Sequence, residues 1–190
     1  MKTIDESQVY QLKITLSDTK PPIWRRFLIE PKENLFELHQ AIQIIMGWSN
    51  SHMHQYRKNK IFYGTPDEEF GDDFGLEILD EKKFKIFQVL DKLKAKIIYE
   101  YDMGDSWDHI LVLEKILPRE DKVKYPKCLN GAMACPPEDC GGISGYYNLL
   151  EIIESPKHKE HKEMLDWLGG KFDPIEFDLN GINQSLKRVK

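Results

Sequence analysis

The segment VYQLKITLSDTKPPIWRRFLIE, spanning Val9–Glu30, decides the fold class. Tyr10, Leu12, Ile14 and Leu16 alternate with polar neighbours, the period of two that a strand with one buried face requires. The turn-forming run Ser17–Pro22 then leads into a second apolar-rich stretch from Ile23 to Glu30. Two such runs joined by turn chemistry read as a β-hairpin.

Working outward, the pattern changes period. Asn34 followed by Glu37 has the form of a capping box, and Leu35, Leu38, Ile42, Ile45 and Met46 recur at helical spacing until Gly47. This predicts one amphipathic helix lying on the hairpin. HMHQYRKNKIFYG, from His52, predicts a second hairpin turning at Lys58–Lys60, and the acidic stretch from Thr65 to Gly75 a loop. FQVLDKL suits a short helical turn, and AKIIYEYDMGDSWDHILVLEKIL predicts two long strands around DMGDS. Past Pro118 come a charged linker, a cysteine-bearing loop and helical text. A helix is expected over Gly145–Ile153, a second with Ser155 and Pro156 at its start, and a third in DLNGINQSLKRVK.

Hairpin, helix, hairpin and then helices imply an α+β protein. Its sheet is mixed or antiparallel, built from hairpins and packed by one helix, with a ubiquitin-like grasp as a candidate topology and a C-terminal helical extension. One domain over 1–190 is expected, with 1–117 as the sheet core and 118–190 as the cysteine loop and C-terminal helices.

Composition narrows the function. The chain has 190 residues, 41% of them apolar, which suffices for a core. A net charge of −5 disfavours nucleic-acid binding through a broad basic face. No apolar run approaches a membrane span, and Met1–Tyr10 lacks the apolar centre of a signal peptide. A cytoplasmic location without membrane association is therefore expected. All three cysteines lie between positions 128 and 140, and an odd number in a reducing compartment is a poor disulfide framework.

Three constellations carry chemistry. Cys128, Cys135 and Cys140, with six and four intervening residues, are candidate ligands for a structural metal such as zinc. His52, His54, His109 or Asp139 would then supply the fourth donor. The competing reading is that these thiols are small hydrophobes in a tight loop. Second, Asp102, Asp105, Asp108 and His109 surround a strand-connecting turn, and with Glu138 and Asp139 would make a set for cation binding and acid–base work. Aspartates also favour turns for purely conformational reasons. Third, His52 and His54 are two apart and would share one side of a strand, while Trp24 and Arg25 offer an aromatic and basic contact surface.

In combination, YQLKITLSDTKPPIWRRFLI, SHMHQY, YEYDMGDSWDHILVLEKI, YPKCLNGAMACPPEDCGGISGYYNLLE and WLGGKFDPIEFD resemble the plasmid pRiA4b ORF-3-like family, from about Val9 to the C-terminus. The matching polar and special residues are Pro22, Trp24, Arg25, His52, His54, Asp102, Gly104, Asp105, Trp107, His109 and the run Cys135–Gly142. The resemblance implies an α+β domain over nearly the whole chain and no particular activity. Some relatives are labelled transposon resolvases, yet this chain is acidic and shows neither a helix-turn-helix tail nor a serine-recombinase nucleophile motif. The expectation is an interaction or regulatory module, associated with mobile elements, that meets a protein or small-molecule partner through Trp24, Arg25, His52 and His54. The alternative is a metal-dependent hydrolase or nuclease using Asp102, Asp105, His109, Glu138 and Asp139.

Overall fold

The structure, a computed structural model, describes residues 5–66 and 77–188. The opening hairpin forms as the alternation requires. β1 (Gln8–Leu16) and β2 (Trp24–Ile29) pair antiparallel, Tyr10 opposite Ile29 and Thr15 opposite Trp24. Leu12, Ile14 and Phe27 are fully buried on one face, while Lys13 and Arg26 stand on the other.

The helix α1 (Leu35–Met46) starts where its cap dictates. Asn34 Oδ1 accepts the Glu37 N–H at 2.8 Å and Glu37 Oε2 accepts the Asn34 N–H at 2.7 Å, so each side chain pairs a backbone donor of the other residue that the helix leaves open. Gly47, at φ 96°, ends it in the left-handed region that glycine adopts without steric cost. Leu35, Leu38, Ile42 and Ile45 face the sheet with no exposure.

The second hairpin follows, β3 (His54–Lys58) and β4 (Ile61–Gly64), then a short β5 (Ile78–Asp80) and the helical turn α2 (Ile86–Val89). The expected acidic loop over Thr65–Gly75 lies, from position 67, outside the described residues. The long strands are β6 (Lys96–Tyr101) and β7 (Trp107–Pro118). Strand order is β5-β4-β3-β6-β7-β1-β2-β8, where β8 is Lys127–Ala132. The β4–β5 pair is parallel and every other pair among the described residues antiparallel.

Three expectations need correction. The sheet does not stop at residue 117, because β8 pairs with β2 and carries Cys128 into the sheet edge. In a ubiquitin-like grasp the first strand runs parallel to its central neighbour, whereas β1 is antiparallel to both β2 and β7. Finally, Ser155 does not begin a helix. It closes α3 (Gly142–Glu154), and the next helix, α4 (His161–Trp167), starts only after a pair of turns through His158. The last helix, α5 (Leu179–Leu186), forms despite Gly181 because Asp178 caps it through that glycine's N–H at 2.9 Å.

Between sheet and α1 the apolar layer is crossed by a polar seam. His39 Nε2 is 2.7 Å from Asn50 Oδ1 and its Nδ1 is 2.8 Å from the Tyr99 hydroxyl, which also accepts the Gln43 amide at 2.9 Å. The ring of His54 stacks on His39 at 3.4 Å, and its Nε2 lies 2.8 Å from Glu81 Oε2. Glu81 has no exposure. Buried polar groups persist only when they are hydrogen-bonded, and this seam supplies partners to each of these side chains. His109, also fully buried, sits in the same layer with the edge of Trp48 5.2 Å away.

Two outcomes are expected. Asn34→Ala, which removes one half of the capping box, lowers stability by about 1 kcal/mol, read as a shift of the denaturant midpoint at unchanged slope. Burial, and next the neighbouring His54, holds His39 down at about 3, and burial holds His109 at about 4, against 6.5 for a free ring. Both folded values are depressed, so the unfolded chain binds more protons and the stability these neutral rings contribute is full above pH 6.5. It is lost as pH falls toward 4, with about two protons taken up at these rings on unfolding near pH 5. Denaturation midpoints measured from pH 7 to pH 4 check this, and a midpoint that stays flat contradicts it.

Candidate functional site

The site forms where the β6–β7 turn meets the loop between β8 and α3. Asp102 leaves β6 in the left-handed region, at φ 59°, and its Oδ1 accepts the N–H groups of Gly104 at 2.9 Å and Asp105 at 3.3 Å. The turn is thus closed by the aspartate's own side chain, as short polar residues do in turns. Its backbone N–H donates to Met53 O at 2.9 Å, which draws the 49–53 segment alongside.

The loop 133–141 is held against this turn by hydrogen bonds from three directions. Trp48 Nε1 donates to Pro136 O at 3.1 Å, the Tyr101 hydroxyl donates to Glu138 Oε1 at 2.5 Å, and the Gly141 N–H donates to Asp105 Oδ2 at 3.1 Å. Ser49 adds its own hydroxyl bond to Glu138 Oε2. The glycines after the loop allow close approach. A Cβ on Gly142, itself at φ 66°, would stand 2.7 Å from Asp105 O, and one on Gly145 would collide with the Cys140 carbonyl.

Clamped this way, the loop sets Asp139 beside His52. His52 Nε2 is 3.2 Å from Asp139 Oδ1 and His52 Nδ1 is 3.7 Å from Asp102 Oδ2. Asp102 Oδ2 lies beyond hydrogen-bonding distance of Nδ1, and Nε2 is buried without a hydrogen-bond partner. One donor atom from each of His52, Asp102 and Asp139 lies within 4.8 Å of the other two, the one such group of three among the described residues. An imidazole and two carboxylates in that spacing can hold a divalent cation of the zinc or manganese type. The two aspartates contribute negative charge from opposite sides, and Asp139 is mostly exposed, which leaves the group open to solvent on one side.

The other anticipated residues sort themselves around this trio. Glu138 stands at the rim with both oxygens engaged, and Asp105 spends an oxygen on Gly141. These two hold the loop. Burial and the adjacent Glu138 raise the Tyr101 hydroxyl well above its usual range, so it stays a hydrogen-bond donor. His109 does not join them. Its ring is enclosed behind Trp48 with Nδ1 3.3 Å from Tyr99 O, and burial keeps it neutral.

The thiols do not converge. Cys128 is buried in β8, its sulfur 3.7 Å from Arg26 O, while Cys135 and Cys140 lie in the loop. Burial pushes Cys128 up to about 11 and Cys140 up to about 12, and raises Cys135 further still, so all three are protonated and uncharged at neutral pH. They form no group of three with one another or with a histidine. The small-hydrophobe reading describes their surroundings.

His52 and His54 also part company. His52 lies before β3 and turns to the aspartates, whereas His54, inside the strand, points into the seam with its side chain 8% exposed. Trp24 and Arg25 are separated by strand geometry, since neighbours in a strand face opposite sides. Trp24 is on the outer face, with Lys13 and Arg26 each 5.0 Å from its ring, and Arg25 is buried on the inner one. They cannot form one contact surface. Sequence reading missed Tyr101, Ser49 and Trp48 as the residues that fasten the loop, and His39 and Glu81 in the seam. For His39 a signal existed, because it and Gln43 occupy the apolar stripe of α1, where a polar residue implies a buried partner.

The described residues contain no helix long and apolar enough to cross a membrane. Comparison with known proteins gives concordant findings. The chain is 32% identical to the uncharacterized protein y4hQ of Sinorhizobium fredii (strain NBRC 101917 / NGR234) over 95% of its own length and 91% of that protein. The crystal structure of the protein of unknown function MM3350 from Methanosarcina mazei Go1 superposes with a TM-score of 0.81 at 34% identity, covering 90% of this chain and 96% of that one. Residues 8–181 match the model of the plasmid pRiA4b ORF-3-like proteins, and the chain belongs to that family.

Proposed function

We propose that the protein is a cation-dependent interaction module of the cytoplasm, which binds a divalent metal through His52, Asp102 and Asp139 and engages its partner at that ion. The observation that carries this reading is that one donor atom from each of His52, Asp102 and Asp139 lies within 4.8 Å of the other two, and that His52 Nε2 has no hydrogen-bond partner. Three free thiols fit a reducing compartment. Three protein donors leave coordination positions for water and for an anionic or carbonyl group of the partner. The surrounding loop is fastened by its own hydrogen bonds, so the donors are arranged before any ion arrives, which reduces the ordering cost of binding.

One feature favours hydrolysis as a second reading. Structural zinc sites are closed by four protein ligands, whereas a three-ligand site with open positions is the form found in hydrolytic centres, where the ion supplies an activated water. In that reading Glu138 and Asp105 act by positioning the loop, and His109 has no part.

Asp139→Asn separates these readings from a purely structural role, because its side chain is 70% exposed and fastens nothing else. Titration of the metal-free protein with Mn2+ or Zn2+ should show one site per chain, weakened at least tenfold in Asp139→Asn and in His52→Ala, with the thermal midpoint of metal-free Asp139→Asn unchanged. Equal binding by wild type and both variants contradicts the site. Metal-stimulated cleavage of a phosphate or peptide substrate, lost in Asp139→Asn, would select the hydrolytic reading over the interaction module.

A further inference from the structure

Arg25 carries a charge that the metal site does not use. The residue is 3% exposed, yet its hydrogen-bond and ring partners are dipoles and an aromatic face. Nε donates to Ile45 O at 3.2 Å, and Nη1 donates to Trp24 O at 2.9 Å and Ala132 O at 2.8 Å. The guanidinium also lies 4.8 Å over the ring of Phe177. Among the described residues no carboxylate forms an ion pair with it, and its Nη2 donates to no protein group. The thiols nearest in charge, Cys128 and Cys135, are uncharged at neutral pH. A guanidinium does not deprotonate in proteins, so its burial is normally matched by an opposite charge.

Arg25 is also a wall of a cavity of about 340 Å³ between the end of α1, the start of the clamped loop and α5. Met46, Phe177 and Ile182 give it an apolar lining, and Ser185 stands at its α5 side. That volume is at the low end of the roughly 300–1,000 Å³ of small-molecule sites. Two acids, Glu176 and Asp178, are exposed at its edge, and Asp178 Oδ1 is engaged with the Gly181 N–H.

We propose that this cavity binds a small organic monocarboxylate, whose carboxylate meets the free Nη2 of Arg25 and whose apolar body lies along Met46, Phe177 and Ile182. The free nitrogen supplies a charge-assisted donor at the wall of an open cavity, and charge-assisted bonds are stronger than neutral ones. The acids at the edge repel a doubly charged anion, which sets a single carboxylate apart from phosphate. The side chains of Met46, Phe177 and Ile182 give a hydrocarbon or aromatic body a surface to pack on. This site lies apart from His52, Asp102 and Asp139 and does not depend on a metal.

The test is titration of the full metal-free chain with phenylacetate, hexanoate and benzoate, followed by amide NMR shifts of Gly47, Ala134 and Ser185. At least one of these should shift them saturably at millimolar concentration, at least tenfold more tightly than 2-phenylethanol or inorganic phosphate. Arg25→Gln should abolish the shifts. Because Arg25 also fastens β2 to β8, a second variant is needed, and Ser185→Trp, which fills the cavity from α5 and keeps Arg25 with its bonds to Ile45, Trp24 and Ala132, should abolish them while leaving the fold intact. No saturable shift with any of the three acids overturns the proposal. So does equal binding of the alcohol or of phosphate, or undiminished binding in Ser185→Trp.

Discussion

The hydrogen bonds that fasten the loop 133–141 to the end of the sheet are the constraint on which the rest of the structure turns. Tyr101 at the end of β6, Trp48 just after α1 and Asp105 in the β6–β7 turn each take one point of that loop. Each anchor comes from a different stretch of chain, and the loop in turn introduces α3. A single set of contacts therefore joins sheet, first helix and C-terminal helices. The same contacts decide which carboxylates stand free. Glu138 has both oxygens and Asp105 one oxygen engaged in holding the loop, and Asp139, one residue further along from Glu138, is left facing His52.

The polar seam beneath α1 follows a related logic. A layer formed only of Leu, Ile and Phe would tolerate sliding of helix over sheet, since apolar contact has little direction. Hydrogen bonds do have direction, and those from His39 and Gln43 to Tyr99, with Asn50 and the His54–Glu81 pair, fix the helix in one register against β3 and β6. We regard the cost of burying Glu81 as offset by His54 and by the Thr65 hydroxyl at 3.2 Å. His39 and His54 connect this seam to Asn50 and β3, the two ends of the segment that bears His52.

Much of the fold was legible in the sequence, and for physical reasons. Alternation in Val9–Glu30 and in the strands around DMGDS is a local signal, and so is the reciprocal capping of Asn34 and Glu37. What escaped was set by distant pairing. Cys128 was read into a loop because β8 is short and carries Asn130 and Gly131, and it becomes a strand only by meeting β2. Arg25 and Trp24 looked like one surface because adjacency in sequence hides the alternation of faces. The acidic and histidine residues of the site were found in part. Asp102 and Asp139 share one expected set while His52 stands in others, and no set holds all three, since no spacing rule connects positions 52, 102 and 139. Only the clamped loop brings them together.

The central claim is that this loop assembles a cation site from His52, Asp102 and Asp139 rather than from the cysteines. Anomalous diffraction from crystals of the whole chain soaked in manganese or zinc tests it most directly. The account predicts one peak per chain within coordination distance of one ring nitrogen of His52 and one carboxylate oxygen from each of Asp102 and Asp139. A peak at Cys128, Cys135 or Cys140, or none at the histidine and its two aspartates, would contradict it.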